Sequence, residues 1–182
     1  MDRLLILFLL PALLLACADS TAQTENATDT GISTPAEVEA EHADAPANSD
    51  VEFADAMTDK VFQNYLHLRT ALVNGDAGEA ATVAGNLAES FGPERAGLGE
   101  LAGQIADTDE LAAQRSTFAA LSTELEPLLT EGLSGGTIYK LHCPMAFDGE
   151  GADWFSEVAE VRNPFFGQEM LTCGNVSQEI TR

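Results

Sequence analysis

Apolar side chains recur every three or four positions through the middle of the chain, the spacing that predicts amphipathic helices. The first such segment begins near Val51, contains no proline and reaches Asn74. Gly75 then provides a stop signal, and Asp76 can cap the following helix. One face of this predicted first helix carries Phe53, Met57, Val61, Tyr65, Leu68 and Leu72.

Two further helical segments follow with smaller side chains. The second runs from about residue 77 to residue 91, is rich in alanine and closes with Gly92-Pro93. The third, residues 94–106, places leucine and isoleucine on one face but contains three glycines, which lower its helix propensity. This third helix is therefore predicted to be short or irregular.

A fourth helix is predicted from the stripe of leucine and phenylalanine that follows Thr108 and Asp109, either of which can cap its N-terminus. The stripe reaches past Pro127 to Glu131, and the proline is predicted to kink or shorten the helix. Helices joined by such short connections predict a mainly α fold, an antiparallel bundle of about four helices.

The helical pattern stops at residue 133. The prediction for residues 133–176 is an irregular, loop-rich C-terminal cap of a helical domain that spans residues 51–182, with a short strand at residues 137–141. Asn163-Pro164 is predicted to start a turn, and Gly167 to reverse the chain. Large aromatic side chains are expected to hold the cap on the bundle: Trp154, Phe155, Phe165 and Phe166.

The N-terminus predicts export and lipidation. Arg3 precedes an apolar run, Leu4–Leu15, which has the length of a signal-peptide core and is too short to span a bilayer. The run leads into Leu-Leu-Ala-Cys, which resembles the lipobox of bacterial lipoproteins, so residues 1–16 are predicted to be removed and Cys17 to be lipidated. The expected location is the periplasmic side of the bacterial cell envelope, on the outer membrane more than the inner.

An acidic tether is predicted to follow the lipid anchor. Residues 17–50 contain no lysine, arginine or aromatic residue, a composition that stays disordered and extended. The whole chain has 30 acidic against 8 basic residues and a formal net charge of −22. Because binding to nucleic acid requires clustered lysine and arginine, this class of partner is excluded, and the membrane is expected to be contacted through the lipid alone.

Soft side chains are concentrated in two short motifs of the cap. His-Cys-Pro-Met at residues 142–145 and Met-Leu-Thr-Cys-Gly at residues 170–174 supply two thiols, two thioethers and an imidazole. Sulfur ligands of this kind favour Cu(I), and silver by the same chemistry. The leading hypothesis is therefore a copper site formed by Cys143, Met145, Met170, Cys173 and His142.

The expected backbone supports this grouping. Because Pro144 biases the preceding residue toward an extended conformation, Cys143 and Met145 are predicted to point the same way, and His142 the opposite way. A helical turn over residues 170–173 would place both of its sulfurs on one face. Zinc ranks lower because neither paired histidines nor a second Cys-x-x-Cys motif is present.

A disulfide between Cys143 and Cys173 is the alternative, since exported cysteine pairs usually bond in oxidising compartments. Closing a loop of about thirty residues would stabilise the fold by roughly 3 to 4 kcal/mol. The chain would then be a disulfide-stapled helical module for protein interaction, without a metal. Cysteine count alone favours the disulfide, the neighbouring methionines favour copper, and both can be redox states of one site.

Several motifs spread over roughly residues 55–180 form a recognisable set. They are Tyr65-Leu66, Gln114-Arg115, Cys143-Pro144-Met145-Ala146, Trp154, Asn163-Pro164-Phe165-Phe166-Gly167 and Met170 to Gly174. This set resembles a bacterial domain of unknown function, numbered 3347, with Cys-Pro-Met and Met-x-x-Cys-Gly as its most specific elements. The chain departs from that family in carrying Phe165 where tyrosine is usual and Phe155 where leucine is usual.

Domains of that family stand alone in envelope proteins or are attached to the adaptor subunits of copper and silver efflux pumps. The resemblance therefore implies heavy-metal handling, with an efflux adaptor or another envelope metal-handling protein as partner, and shifts the preference slightly toward copper. No enzymatic activity is expected, because the Gly-rich phosphate loop, Gly-x-Ser-x-Gly and His-Glu-x-x-His motifs are missing from the sequence. His42 is expected to be solvated, and His67 to be a packed or surface residue.

Overall fold

The computed structural model describes residues 50–182, which are mainly α-helical, as predicted, with two small antiparallel sheets. Two short 3-10 turns cover Pro93–Arg95 and Gly167–Met170. The helices and strands are, in chain order, β1 (Glu52–Phe53), α1 (Ala56–Asn74), α2 (Ala77–Ala88), α3 (Ala96–Ala106), α4 (Leu111–Gly132), β2 (Leu133–Gly135), β3 (Thr137–Cys143), α5 (Ala146–Gly149, a single distorted turn), β4 (Ala152–Ser156) and β5 (Asn175–Thr181).

The first helix begins later than its apolar pattern predicts. Asp55 is the N-cap, and its carboxylate accepts hydrogen bonds from the backbone N–H and the hydroxyl of Thr58 at 2.9 and 2.8 Å. Phe53 lies instead in β1, which pairs with β2. Phe53 is apolar because its ring packs against Phe62 of α1, with ring centroids 5.2 Å apart, and this is why it matches the apolar pattern of the helix. The helix ends at the predicted glycine, Gly75, whose φ of 73° is left-handed.

The second helix has the predicted cap and the third is more regular than predicted. The Asp76 carboxylate accepts a hydrogen bond from the Glu79 N–H at 2.9 Å, and α2 ends at Ala88, before the predicted residue 91. α3 is an unbroken helix of 11 residues despite its glycines. Leu98, Ala102 and Ile105 are buried, so tertiary packing outweighs the low helix propensity.

The predicted N-cap of α4 is wrong. Glu110 occupies the cap position without a side-chain hydrogen bond, while the Thr108 hydroxyl accepts from the Glu110 N–H at 3.1 Å and stabilises the turn before the helix. α4 continues through Pro127 to Gly132, so the proline does not shorten it. Proline removes one intrahelical hydrogen bond, and burial of leucines on both sides of it holds the helix together.

Tyr65 links the helices to the C-terminal sheet. Its ring stacks on Phe118 of α4 with centroids 5.0 Å apart. The Ser122 hydroxyl donates its proton to the Phe118 carbonyl, so it must accept the hydrogen bond from the Tyr65 hydroxyl at 2.8 Å. The Tyr65 hydroxyl in turn accepts from the Phe155 N–H at 3.0 Å. Side chains from α1, α2, α3, α4, β3 and β4 complete the core, among them Leu68, Leu72, Leu87, Ile105, Leu121, Leu125, Leu129, Leu141 and Trp154.

The C-terminal cap is more regular than predicted. β3 is the central strand of a three-stranded antiparallel sheet, with β4 on one side and β5 on the other, and it extends past the predicted end to Cys143. Ile180 is the only buried residue of β5. The apolar alternation that marks a strand is therefore missing from β5, so the sequence pattern did not reveal it.

A largely buried ion pair also joins α1 to the sheet. The Arg69 guanidinium donates to the Ser156 hydroxyl at 2.7 Å and to the Glu157 carboxylate at 2.9 Å, and the paired side chains are only 8% and 13% exposed. Burial opposes ionisation of Glu157, but the charge and hydrogen bonds of Arg69 more than offset it. The pKa of Glu157 consequently lies below its usual value.

The predicted leader, the lipidation site Cys17 and the tether up to residue 49 lie outside the described residues. Within residues 50–182, no helix combines the length and the apolar character needed to cross a membrane. His67 is a surface residue, one of the two outcomes expected, and its Nε2 lies 2.8 Å from Glu79 Oε1.

Candidate metal centre

The structure brings the two cap cysteines together. Cys143 is the last residue of β3 and is fully buried, and Cys173 lies two residues before β5 and is partly exposed. Their Sγ atoms are 3.1 Å apart, and both thiols are free. This contact follows from strand pairing: His142 is in register with Asn175, so the residues just beyond that pair meet across the sheet.

Asn163 holds the backbone of Cys173 in place. The Asn163 side chain is fully buried, and its Nδ2 donates to the Cys173 carbonyl at 2.8 Å. Its Oδ1 accepts from the Phe165 N–H at 2.8 Å, which forms the turn that the Asn-Pro pair predicts. Sequence reasoning found the turn but missed the bond to Cys173, because nothing in the local pattern indicates a partner ten residues away.

Gly174 allows the chain to pass close to β3. Its φ is 140°, and a Cβ there would lie 2.8 Å from the His142 carbonyl oxygen and 3.0 Å from the Trp154 ring. The Cys-Gly order of the motif therefore has a steric cause, since a larger residue would push Cys173 away from Cys143.

The thiol of Cys173 is protonated at neutral pH. Its hydrogen bond with the Cys143 thiol and its partial burial raise the pKa of Cys173 above the usual value, while the backbone N–H of Met145 acts in the opposite direction. A metal ion binds the thiolate form, so an ion that binds here must displace protons.

The two methionines lie beside the thiols along the backbone. Met145 lies two residues after Cys143, and the carbonyl of Met170 accepts from the Cys173 N–H at 3.0 Å, which closes a hydrogen-bonded turn over residues 170–173. Both side chains are open to solvent, at 57% and 38% exposure. The extended alternation predicted for Cys143 and Met145 is wrong, because β3 ends at Cys143 and Met145 has a right-handed helical backbone.

His142 faces away from the thiol pair. At the end of β3, Cys143 is buried and His142 is half exposed. The two side chains therefore point to opposite faces of the strand, as predicted. Its Nδ1 lies 2.8 Å from Asp153 Oδ1, and its ring covers Gly151. Among the histidine, cysteine, aspartate and glutamate side chains of residues 50–182, no three converge on a common ion position. The structure therefore does not group His142 with the cysteines.

Comparison with known families confirms part of the resemblance. A family model described as "Protein of unknown function (DUF3347)" matches residues 61–134. The predicted family is confirmed over this segment. The DUF3347 match runs from within α1 to β2 and ends before Cys143, so the two sulfur motifs lie outside the matched residues. No curated protein and no solved structure matches the chain.

Proposed function

We propose that this protein binds a soft metal ion, Cu(I), through the thiolates of Cys143 and Cys173. The observation that carries the proposal is the 3.1 Å contact between the two free thiols. A metal ion shared by two sulfurs lies about 2.3 Å from each in the well-characterised zinc sites. The distance of 3.1 Å between the two sulfurs is shorter than two such metal–sulfur bonds end to end, so an ion can bind both after the side chains move slightly apart.

The types of nearby donor favour Cu(I) over zinc or calcium. Two thiols are the only cysteine, histidine or carboxylate groups that meet at this point in the described part of the chain. Further protein ligands would then be the exposed thioethers of Met145, two residues after Cys143, and Met170, three residues before Cys173. Thioethers are poor ligands for hard ions and good ligands for Cu(I) and Ag(I).

We also propose a cellular context for this site. Lipidation at Cys17 and the acidic tether would hold the domain at the envelope, and the net charge of −22 would raise the local concentration of cations. An efflux adaptor is the proposed partner, on the family resemblance. We further propose an antiparallel four-helix bundle as the scaffold, supported by contacts of α1 with both α2 and α4.

The test is an anaerobic Cu(I) titration in competition with a chromogenic chelator. The chain has three cysteines, so every protein carries Cys17→Ser and keeps the cap thiols alone. The parent is expected to bind one ion tightly, and the Cys143→Ser, Cys173→Ser double variant to lose it. Equal affinity in these two proteins would contradict the proposal.

Matched variants identify the remaining ligands. Met145→Leu with Met170→Leu is expected to weaken Cu(I) binding, whereas Met57→Leu, a thioether within α1, is the control that leaves it unchanged. His142→Ala is expected to retain the ion, since its ring lies against Asp153 and Gly151. Loss of binding on changing His142 would show that the side chain reorients to reach the metal.

The second candidate function is a disulfide-stapled module that binds a protein partner. The same 3.1 Å contact favours it, because oxidation needs the sulfurs to approach to about 2.0 Å from an already close position. Counting free thiols in protein taken directly from the envelope separates the candidates. A quantitative disulfide in the native protein, with no Cu(I) binding after reduction, favours the module.

A further inference from the structure

An open cavity of about 600 Å³ lies between α4 and the turn that follows β3. Phe147, Phe165 and Phe166 form apolar walls, and Met145 contributes at one side. The α4 side carries Arg115 and Ser116. Cavities of this size, mostly apolar with a few polar groups, are typical of small-molecule sites.

The cationic group of this cavity has no anionic partner within residues 50–182. Arg115 makes no ion pair among the described residues, although the chain is strongly acidic. One terminal nitrogen donates to the Leu72 carbonyl at 3.0 Å, while the Nε atom is buried without any hydrogen-bond partner. Because Nε is closed to solvent, the group left to pair with an anion in the cavity is the other terminal nitrogen, which makes no hydrogen bond among the described residues.

The opposite wall is held in a strained backbone conformation. Phe147 and Asp148 have φ values of 50° and 59°, which side-chain-bearing residues rarely adopt. This conformation places the Phe147 ring edge-on to Phe165 at a centroid distance of 5.4 Å. Backbone strain of this kind is concentrated at binding and catalytic sites, where the surrounding structure maintains it.

We infer that this cavity binds a small organic carboxylate whose apolar body packs between the phenylalanines and whose carboxylate pairs with Arg115. A planar guanidinium matches a carboxylate in geometry and charge. A single negative charge fits better than a phosphate, because Asp148 also borders the cavity and Glu169 lies near enough to influence Arg115. Met145 borders both this cavity and the proposed Cu(I) centre, whereas Arg115 and the phenylalanines that would hold the carboxylate take no part in the Cu(I) centre.

The experiment titrates the full-length protein with phenylacetate and hexanoate, followed by backbone amide NMR shifts of Ala146 to Gly149. Each carboxylate is compared with its neutral amide, phenylacetamide or hexanamide, on the unchanged protein. A charge-assisted hydrogen bond predicts that the amide binds about tenfold or more weakly than the acid. This comparison does not depend on any variant folding.

Arg115→Gln is expected to reduce carboxylate affinity to that of the amide, and Arg95→Gln, an arginine paired with Glu94 at the surface, to leave it unchanged. Two results would overturn the inference. One is equal binding of acid and amide by the parent protein. The other is the lack of saturable shifts with either carboxylate at millimolar concentration, whatever the state of the metal site.

Discussion

Cys143 Sγ and Cys173 Sγ lie 3.1 Å apart although 30 residues separate them in the chain. The contact depends on β5 returning alongside β3 and on the glycine after Cys173, which permits the close approach. Both the proposed metal-bound state and the alternative disulfide state would depend on this one geometry.

Oxidation of the cap thiols is expected to stabilise the fold. A disulfide that closes a loop of about thirty residues adds roughly 3 to 4 kcal/mol to the free energy of unfolding. Urea unfolding of oxidised and reduced protein in a Cys17→Ser background measures the difference. The Cys143→Ser variant in the same background should show none. Covalent dimers as the main oxidation product would contradict the predicted intramolecular bond.

Asn163→Ala is expected to loosen the cap. It leaves the Cys173 carbonyl and the Phe165 N–H without their buried partner, which predicts a loss of about 1 to 3 kcal/mol in the free energy of unfolding. The Cys173 thiol should also react faster with a thiol reagent. Asn175→Ala is the control, since its side chain is exposed and should change stability by less than about 0.5 kcal/mol.

Arg69→Met is expected to destabilise the protein by about 3 to 5 kcal/mol, because it leaves the Glu157 carboxylate partly buried without its cation. The double variant Arg69→Met, Glu157→Leu should recover part of that loss, since no unpaired charge remains. Denaturant unfolding of both variants measures the difference. A double variant less stable than the single one would argue against a charge-pair mechanism.

The same ion pair predicts a pH dependence. The folded-state pKa of Glu157 is lowered, so its stabilising contribution is present above the ordinary value of 4.5 and is lost as pH falls through the lower folded value. The stability difference between the parent and Glu157→Gln should therefore shrink below pH 4.5. A difference that stays constant down to the acid transition would contradict this assignment.

The buried hydroxyl of Tyr65 predicts how the stability of the fold changes at alkaline pH. Burial raises its pKa from 10.0 to about 12, so the protonated hydroxyl stabilises the fold up to the ordinary value, and this contribution is lost as pH rises through about 12. The chain has two tyrosines, and ultraviolet titration of a Tyr139→Phe variant isolates Tyr65. A tyrosinate transition near pH 10 in folded protein would contradict the buried hydrogen-bonded hydroxyl.

The helical part could be predicted from sequence because its signals are local. These signals depend on residues within one or two helical turns of each other. They are the helix N-cap at Asp76, the left-handed helix end at Gly75 and the apolar faces of the helices. The sequence-based predictions were wrong where contact with a distant segment decided the local structure. Phe53 follows the helical period but lies in a strand, because β2 at the end of α4 pairs with it.

The sequence by itself determined the mainly α class, the helix end at Gly75 and the N-cap at Asp76, because these depend on residues close together in the chain. The tertiary structure alone decided that Cys143 meets Cys173 and that His142 pairs with Asp153 on the other face of β3. It also decided that Arg115 has no carboxylate partner within the described part of the chain. These outcomes depend on strand register and on contacts between segments far apart in the chain. Such contacts leave no periodic trace in the sequence, because each partner is compatible locally with several arrangements.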